Sequence, residues 1–96
     1  MPYRNKVVLN CRPGPRPGLG DLVETFLRDG VKFVGVVGPD ASFIEELIDQ
    51  LVVGDGTNQE RFILTSSHEG ETLEEALEFA RGLTGDYEGE VQVVDL

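Results

Sequence analysis

Tryptophan is absent from this chain, and cysteine, histidine and methionine occur once each. A lone cysteine, Cys11, forms no disulfide within the chain, so a disulfide framework is excluded. One histidine and one cysteine fall short of the soft and imidazole ligands that a zinc site needs. Positive charge is also scarce: 8 Lys and Arg stand against 18 Asp and Glu, a net charge of −10. Binding a nucleic acid needs a basic face that replaces counterions along the phosphates. Such a partner is not expected here. No apolar run approaches the roughly 20 residues that span a bilayer. The stretch from Met1 to Asn10 has neither a long apolar segment nor a small-residue cleavage site, so no signal peptide is read. With one thiol and no membrane segment, a cytoplasmic setting is expected.

What is present fits a small globular domain. The 96 residues are 40% apolar, an ordinary fraction, and are read as one domain spanning 1–96. The charge is unevenly placed. Residues 1–48 carry six basic and six acidic groups, while residues 49–96 carry two basic groups, Arg61 and Arg81, and twelve acidic ones. The first 20 residues hold Arg4, Lys6, Arg12 and Arg16 and no acid. An acidic second half chiefly keeps the protein soluble.

Hydrophobic periodicity alternates between strand and helix. Lys6 to Cys11 is rich in β-branched and apolar residues and reads as a strand. Leu19, Leu22, Val23, Phe26 and Leu27 recur at helical spacing, which predicts a helix over 19–29 that Gly30 closes in a left-handed cap. Lys32 to Val37 reads as a second strand, apolar on both faces as in a strand covered on both sides. Ile44, Leu47, Ile48, Leu51 and Val52 predict a helix over 42–53, with Ser42 and Glu45 as a capping box and Gly54 at its end. The third strand is expected over 61–66. The third helix is expected over 72–82, with Thr72 and Glu75 as its capping box. The last strand is expected over 91–95.

The order β-α-β-α-β-α-β predicts a three-layer α/β sandwich around a four-stranded parallel sheet with right-handed crossovers. The favoured strand order is 2-1-3-4, with 3-2-1-4 as the alternative. In the first order one sheet face receives only the helix over 19–29. That leaves apolar surface beside it, and such patches commonly find a partner, so a homodimer is expected.

Ligands of open parallel sheets bind beyond the carboxyl ends of the strands. The segments there contain the only cysteine and the only histidine. The candidate binding residues are Cys11, Arg12 and Arg16 after the first strand and Asp40 after the second. Ser66, Ser67 and His68 follow the third. In order 2-1-3-4 the crevice between the first and third strands would gather them, with Cys11 close to Ser66. Arg12, Arg16 and the start of the following helix would then hold a small anion such as phosphate or carboxylate.

Intact catalytic motifs are missing from these segments. The first loop lacks the Lys-Ser/Thr pair of a phosphate loop, and Gly14, Gly18 and Gly20 are wrongly spaced for a dinucleotide fingerprint. Ser66 to His68 lacks a nucleophile elbow. Cysteine at the end of a first strand resembles low-molecular-weight tyrosine phosphatases and the phosphocysteine domains of sugar phosphotransferase systems. Four residues separate Cys11 from Arg16, however, where the phosphatase pattern has five. Pro13, Pro15 and Pro17 also remove every second backbone donor from the cradle. The alternation and size resemble receiver domains of two-component signalling. Asn10-Cys11 and Ser66-Ser67 stand where that family has its paired acids and its phospho-accepting Asp.

Over Lys6 to Val94 the pattern resembles the uncharacterised single-domain α/β proteins of bacteria with flavodoxin-like or Rossmann-like topology. This resemblance carries no functional residues across. The sequence is read as a small protein-interaction or accessory module without catalytic activity and without a cofactor. The alternative is a domain that binds a small molecule or anion through the loops after strands one and three.

Overall fold

The computed structural model describes residues 3–13, 18–54, 56 and 61–96. The elements in chain order are β1 (Lys6–Asn10), α1 (Leu19–Asp29), β2 (Phe33–Val37), α2 (Ala41–Val53), β3 (Leu64–Ser67), α3 (Leu73–Arg81) and β4 (Val91–Asp95). A single 3-10 turn, Gly85–Tyr87, precedes β4. All strand pairs are parallel, and the order is β3-β2-β1-β4.

This is the order 3-2-1-4, and the favoured 2-1-3-4 is overturned. The physical reason lies in two strands. Every residue of β2, Phe-Val-Gly-Val-Val, is buried, so β2 needs a neighbour on each side and a layer on each face. β3, Leu-Thr-Ser-Ser, is only half-buried throughout. Its polar side chains suit an edge.

The right-handed crossover rule then distributes the helices. Steps from β1 to β2 and from β2 to β3 run the same way, so α1 and α2 share one face and pack on each other. The return from β3 to β4 crosses the sheet in the opposite sense and lays α3 alone on the other face, over β2 and β1. The lone helix is therefore α3, not α1 as expected.

The α1/α2 face holds the larger core, with Val7, Leu9, Val34 and Val36 from the sheet against Val23, Phe26, Ile44 and Ile48 from the helices. Under α3 the core is smaller: Val8, Phe33 and Val37 meet Ala76 and Ala80, whose short side chains bring the helix close to the sheet.

Local expectations fare unevenly. Gly30 closes α1 at φ 80°, and its N–H is bonded to the carbonyls of Leu27 and Phe26. Thr72 and Glu75 form the full capping box at α3. The box expected from Ser42 and Glu45 does not form. Helix α2 begins one residue earlier, with Asp40 at its N-cap, and both side chains reach β3 instead. Ser42 Oγ lies 2.8 Å from Ser67 Oγ, and Thr65 Oγ1 donates to Glu45 Oε2 at 2.5 Å.

The third strand starts at Leu64 rather than residue 61. Its first ladder bond, Leu64 N–H to the Lys32 carbonyl, lies at the very start of β2. Upstream, Arg61 turns to the C-terminal end of α2, donating to the carbonyls of Val52 at 3.0 Å and Leu51 at 2.8 Å.

Candidate functional site

The carboxyl end of the sheet does not gather the expected residues in one crevice. β2 lies between β1 and β3, so Cys11 and Ser66 are not on neighbouring strands. Successive residues of a strand also point to opposite faces. Ser67 meets Ser42 of α2 on the α1/α2 face, and Ser66 and His68 lie on the α3 face. Cys11 is buried in the α1/α2 core. Asp40 is exposed at the start of α2. Arg12 is exposed after β1, and Arg16 lies outside the described residues.

In order 3-2-1-4 the point where strand order reverses lies between β1 and β4. That crevice is closed. Asn10 Nδ2 donates to Asp95 Oδ1 at 3.1 Å across it, and the Leu96 N–H bonds to the Asn10 carbonyl at 3.0 Å. The exposed Asp95 carboxylate repels an anion from the position the topology favours. On the other side of β1, Gly38 adopts φ +134°, and a Cβ there would overlap the Cys11 carbonyl. The backbone after β2 thus seals the end of β1.

A second grouping, of residues close together in the sequence, has a definite geometry. His68 Nε2 lies 2.7 Å from Ser66 Oγ, and His68 Nδ1 lies 3.2 Å from Glu71 Oε1. This is the connectivity of a nucleophile, a base and an orienting carboxylate. Two features separate it from a working triad. The His68 ring is 4% exposed and packs edge-on to Phe79 at 5.0 Å, so a leaving group has little access to Nε2. Ser66 also sits inside a regular strand whose register with β2 runs unbroken from Leu64 to Ser67. Its N–H belongs to the ladder and is not free to stabilise an oxyanion. What the arrangement does is satisfy both nitrogens of a buried imidazole and tie β3 to the start of α3.

Two further features had gone unread in the sequence. Lys6 is 1% exposed, and its Nζ donates to the Ala80 carbonyl at 2.6 Å at the end of α3. A lysine in a strand of Val and Leu normally signals an exposed edge, so the sequence carried no sign of this. Phe62 and Phe79 are exposed at 61% and 47%. Phe62 lies two residues before β3, beside Ile63 of the α1/α2 core, and Phe79 leans from α3 over Phe33 and His68. Phe79 thus lies on the α3 face, and Phe62 sits next to the start of β3. On the outer face of α2, Phe43, Glu46, Leu47 and Gln50 outline a shallow depression of about 260 Å³. All four belong to one helix, so no second wall converges on it.

Among the described residues no group of three or more His, Cys, Asp or Glu comes together as a metal would require. Nor is any helix among them long and apolar enough to cross a membrane.

Fold and surface together define a compact α/β domain with parallel strands in order 3-2-1-4, in which, among the described residues, no further strand covers either edge. The chain belongs to the family described as a domain of unknown function (DUF7684), whose model matches residues 7–95. No curated protein and no solved structure is significantly similar to it.

Proposed function

We propose that this domain is a protein-interaction module, acting without catalysis of its own and docking a partner on the flank between β3 and α3. The observation that carries the reading is the exposure of Phe62 and Phe79 beside a half-buried edge strand. Large apolar side chains grouped at the surface favour removal from water, and aromatic rings are enriched at interface cores. The surroundings are acidic. Glu69 after β3, and Glu71, Glu75 and Glu78 at and along α3, are all exposed, and they make a second copy of this chain a poorer occupant than a basic partner. A homodimer is the competing occupant of the apolar surface, and light scattering at high protein concentration separates the two. The buried single thiol suits the reducing setting of a cytoplasmic module.

The test is site-specific photo-crosslinking in cells that make the protein, with the photoreactive residue at position 62 or, as a control, at Arg28 on exposed α1. A discrete adduct of defined mass from position 62 and none from position 28 supports the module. Equal, diffuse labelling from both positions overturns it.

A second reading, binding of a small anion at the end of β1, is favoured by one observation. Arg12 is exposed, and among the described residues its side chain is paired with no carboxylate. Thermal shifts with phosphate, compared between wild type, Arg12→Ala and Arg16→Ala, decide it. Equal stabilisation of all three removes the site.

A further inference from the structure

We infer that the free edge of β3 accepts, as a fifth strand, an extended partner segment in which basic and apolar residues alternate. This rests on the interaction reading and names its partner class.

Ladder parity shows which backbone groups are open. Leu64 donates to the Lys32 carbonyl at 3.0 Å and His68 to the Val36 carbonyl at 2.8 Å. Alternate residues of a parallel pair bond to the same neighbour, so Leu64, Ser66 and His68 turn their N–H groups towards β2. Thr65 and Ser67 turn theirs away from the sheet, where among the described residues no strand pairs with β3. Open edges of this kind are normally blunted by lysine, proline or a bulge. Leu64-Thr65-Ser66-Ser67 contains neither residue, and its register with β2 is regular. The edge is also held in place. Thr65 is tied to Glu45 and Ser67 to Ser42, so little ordering remains when a strand arrives.

The two sides of the edge differ in chemistry, which sets the pattern of the arriving strand. On the α1/α2 side lie the hydroxyls of Thr65 and Ser67, Glu45, and Glu69, whose Oε1 accepts from the Ser42 N–H at 3.2 Å. On the α3 side lie Leu64 and Phe79, with Glu75 one helical turn before Phe79, and Phe62 sits next to the start of β3. The nearest cation in sequence, Arg61, is turned away and engaged by Glu24 and the end of α2. Side chains of an added strand alternate between these sides. Lysine or arginine then meets the carboxylates on one, and apolar residues meet Leu64 and Phe79 on the other. Peptides that add to sheet edges elsewhere work in this way, with main-chain bonds supplying affinity and alternate side chains supplying specificity.

The probe is a blocked heptapeptide of alternating Lys and Val, added to the full chain and followed by amide hydrogen exchange and fluorescence polarisation. Protection is expected at Thr65 and Ser67 and not at Val91 or Val93 of the other edge. Replacing every Lys by Glu is expected to weaken binding by about tenfold or more. N-methylation of one alternating set of peptide amides is expected to weaken it by about tenfold, and methylation of the other set by less than about threefold.

Protection at Val91 and Val93 instead, equal loss from both methylated sets, or a Glu peptide that binds as well as the Lys peptide overturns strand addition. If position 62 crosslinks to a partner while Thr65 and Ser67 stay unprotected by the probe, strand addition fails and the interaction module stands. If neither signal is obtained, both fall.

Discussion

Lys6 and the carbonyl of Ala80 are joined by a 2.6 Å hydrogen bond between the first strand and the end of the last helix. The ammonium is buried, and among the described residues no carboxylate bonds to it. Its second contact is the Leu83 carbonyl at 3.4 Å. The last carbonyls of a helix lack partners within the helix and carry partial negative charge. Lys6 answers both needs at the point where α3 meets β1.

Replacing this side chain by one of similar length without charge, Lys6→Met, removes the ammonium donor, so the Ala80 carbonyl keeps only backbone partners such as the 3.3 Å bond from the Leu83 N–H and the Leu83 carbonyl loses its contact with Lys6. The expected loss of stability is about 1–3 kcal/mol, read from urea unfolding. A change within experimental error would show that water takes the place of the ammonium.

Gly38 and Gly70 both have positive φ, at +134° and +82°, but their surroundings differ. A Cβ at Gly38 overlaps the Cys11 carbonyl, whereas one at Gly70 meets nothing within 4 Å. Gly38→Ala is expected to cost about 2 kcal/mol or more, since backbone strain and a clash combine. Gly70→Asn is expected to cost less than about 1 kcal/mol, because asparagine tolerates the left-handed region. Equal losses in thermal unfolding would contradict the account of the β1 end.

Ser66 is expected to remain unlabelled by a fluorophosphonate probe that modifies activated serines. His68 holds its hydroxyl at 2.7 Å, but the Ser66 N–H is committed to the ladder with β2 and His68 is buried, so neither the oxyanion donor nor the base is accessible as catalysis needs. Stoichiometric labelling of Ser66 by intact-mass measurement, lost in His68→Gln, would make this an active nucleophile and end the non-catalytic reading.

The bidentate pair of Arg61 and Glu24, at 2.9 and 2.6 Å, gives a signed pH dependence. The hydrogen bond from Arg61 holds the Glu24 carboxyl below its ordinary value of 4.5, opposed by desolvation and assisted by the charge of Arg61. A depressed carboxylate contributes stability that is present above its unfolded-state pKa and lost as pH falls through the folded value. The difference in Tm between wild type and Glu24→Gln is therefore expected to be greatest near neutral pH and to close in acid. Glu24 is exposed, so the difference is expected to be small and to shrink further in salt. A difference that grows in acid would refute the pairing.

The alternation of strand and helix was legible in the chain because apolar spacing is a local property. Leu19 to Leu27 cannot face one core except as a helix, and Thr72 with Glu75 marks a helix start by its own hydrogen bonds. Strand order was legible in principle too. Phe33 to Val37 is apolar throughout while Thr65, Ser66 and Ser67 are polar, which favours β2 inside and β3 at an edge. Order 2-1-3-4 is wrong because it would leave that continuously apolar strand at an edge. The same error placed Cys11 beside Ser66, because a crevice is defined by which strands are neighbours.

Sequence by itself determined the number and type of elements, the acidic second half and the lack of any intact catalytic motif, since each depends on residues close together along the chain. Tertiary structure alone decided that Lys6 is buried against Ala80, that Ser42 and Glu45 serve β3 rather than their own helix, and that Phe62 and Phe79 lie exposed beside β3. The hydrogen bonds among these join residues 20 to 74 positions apart. Such meetings arise only when crossovers of fixed hand bring distant elements together, and no local propensity encodes them.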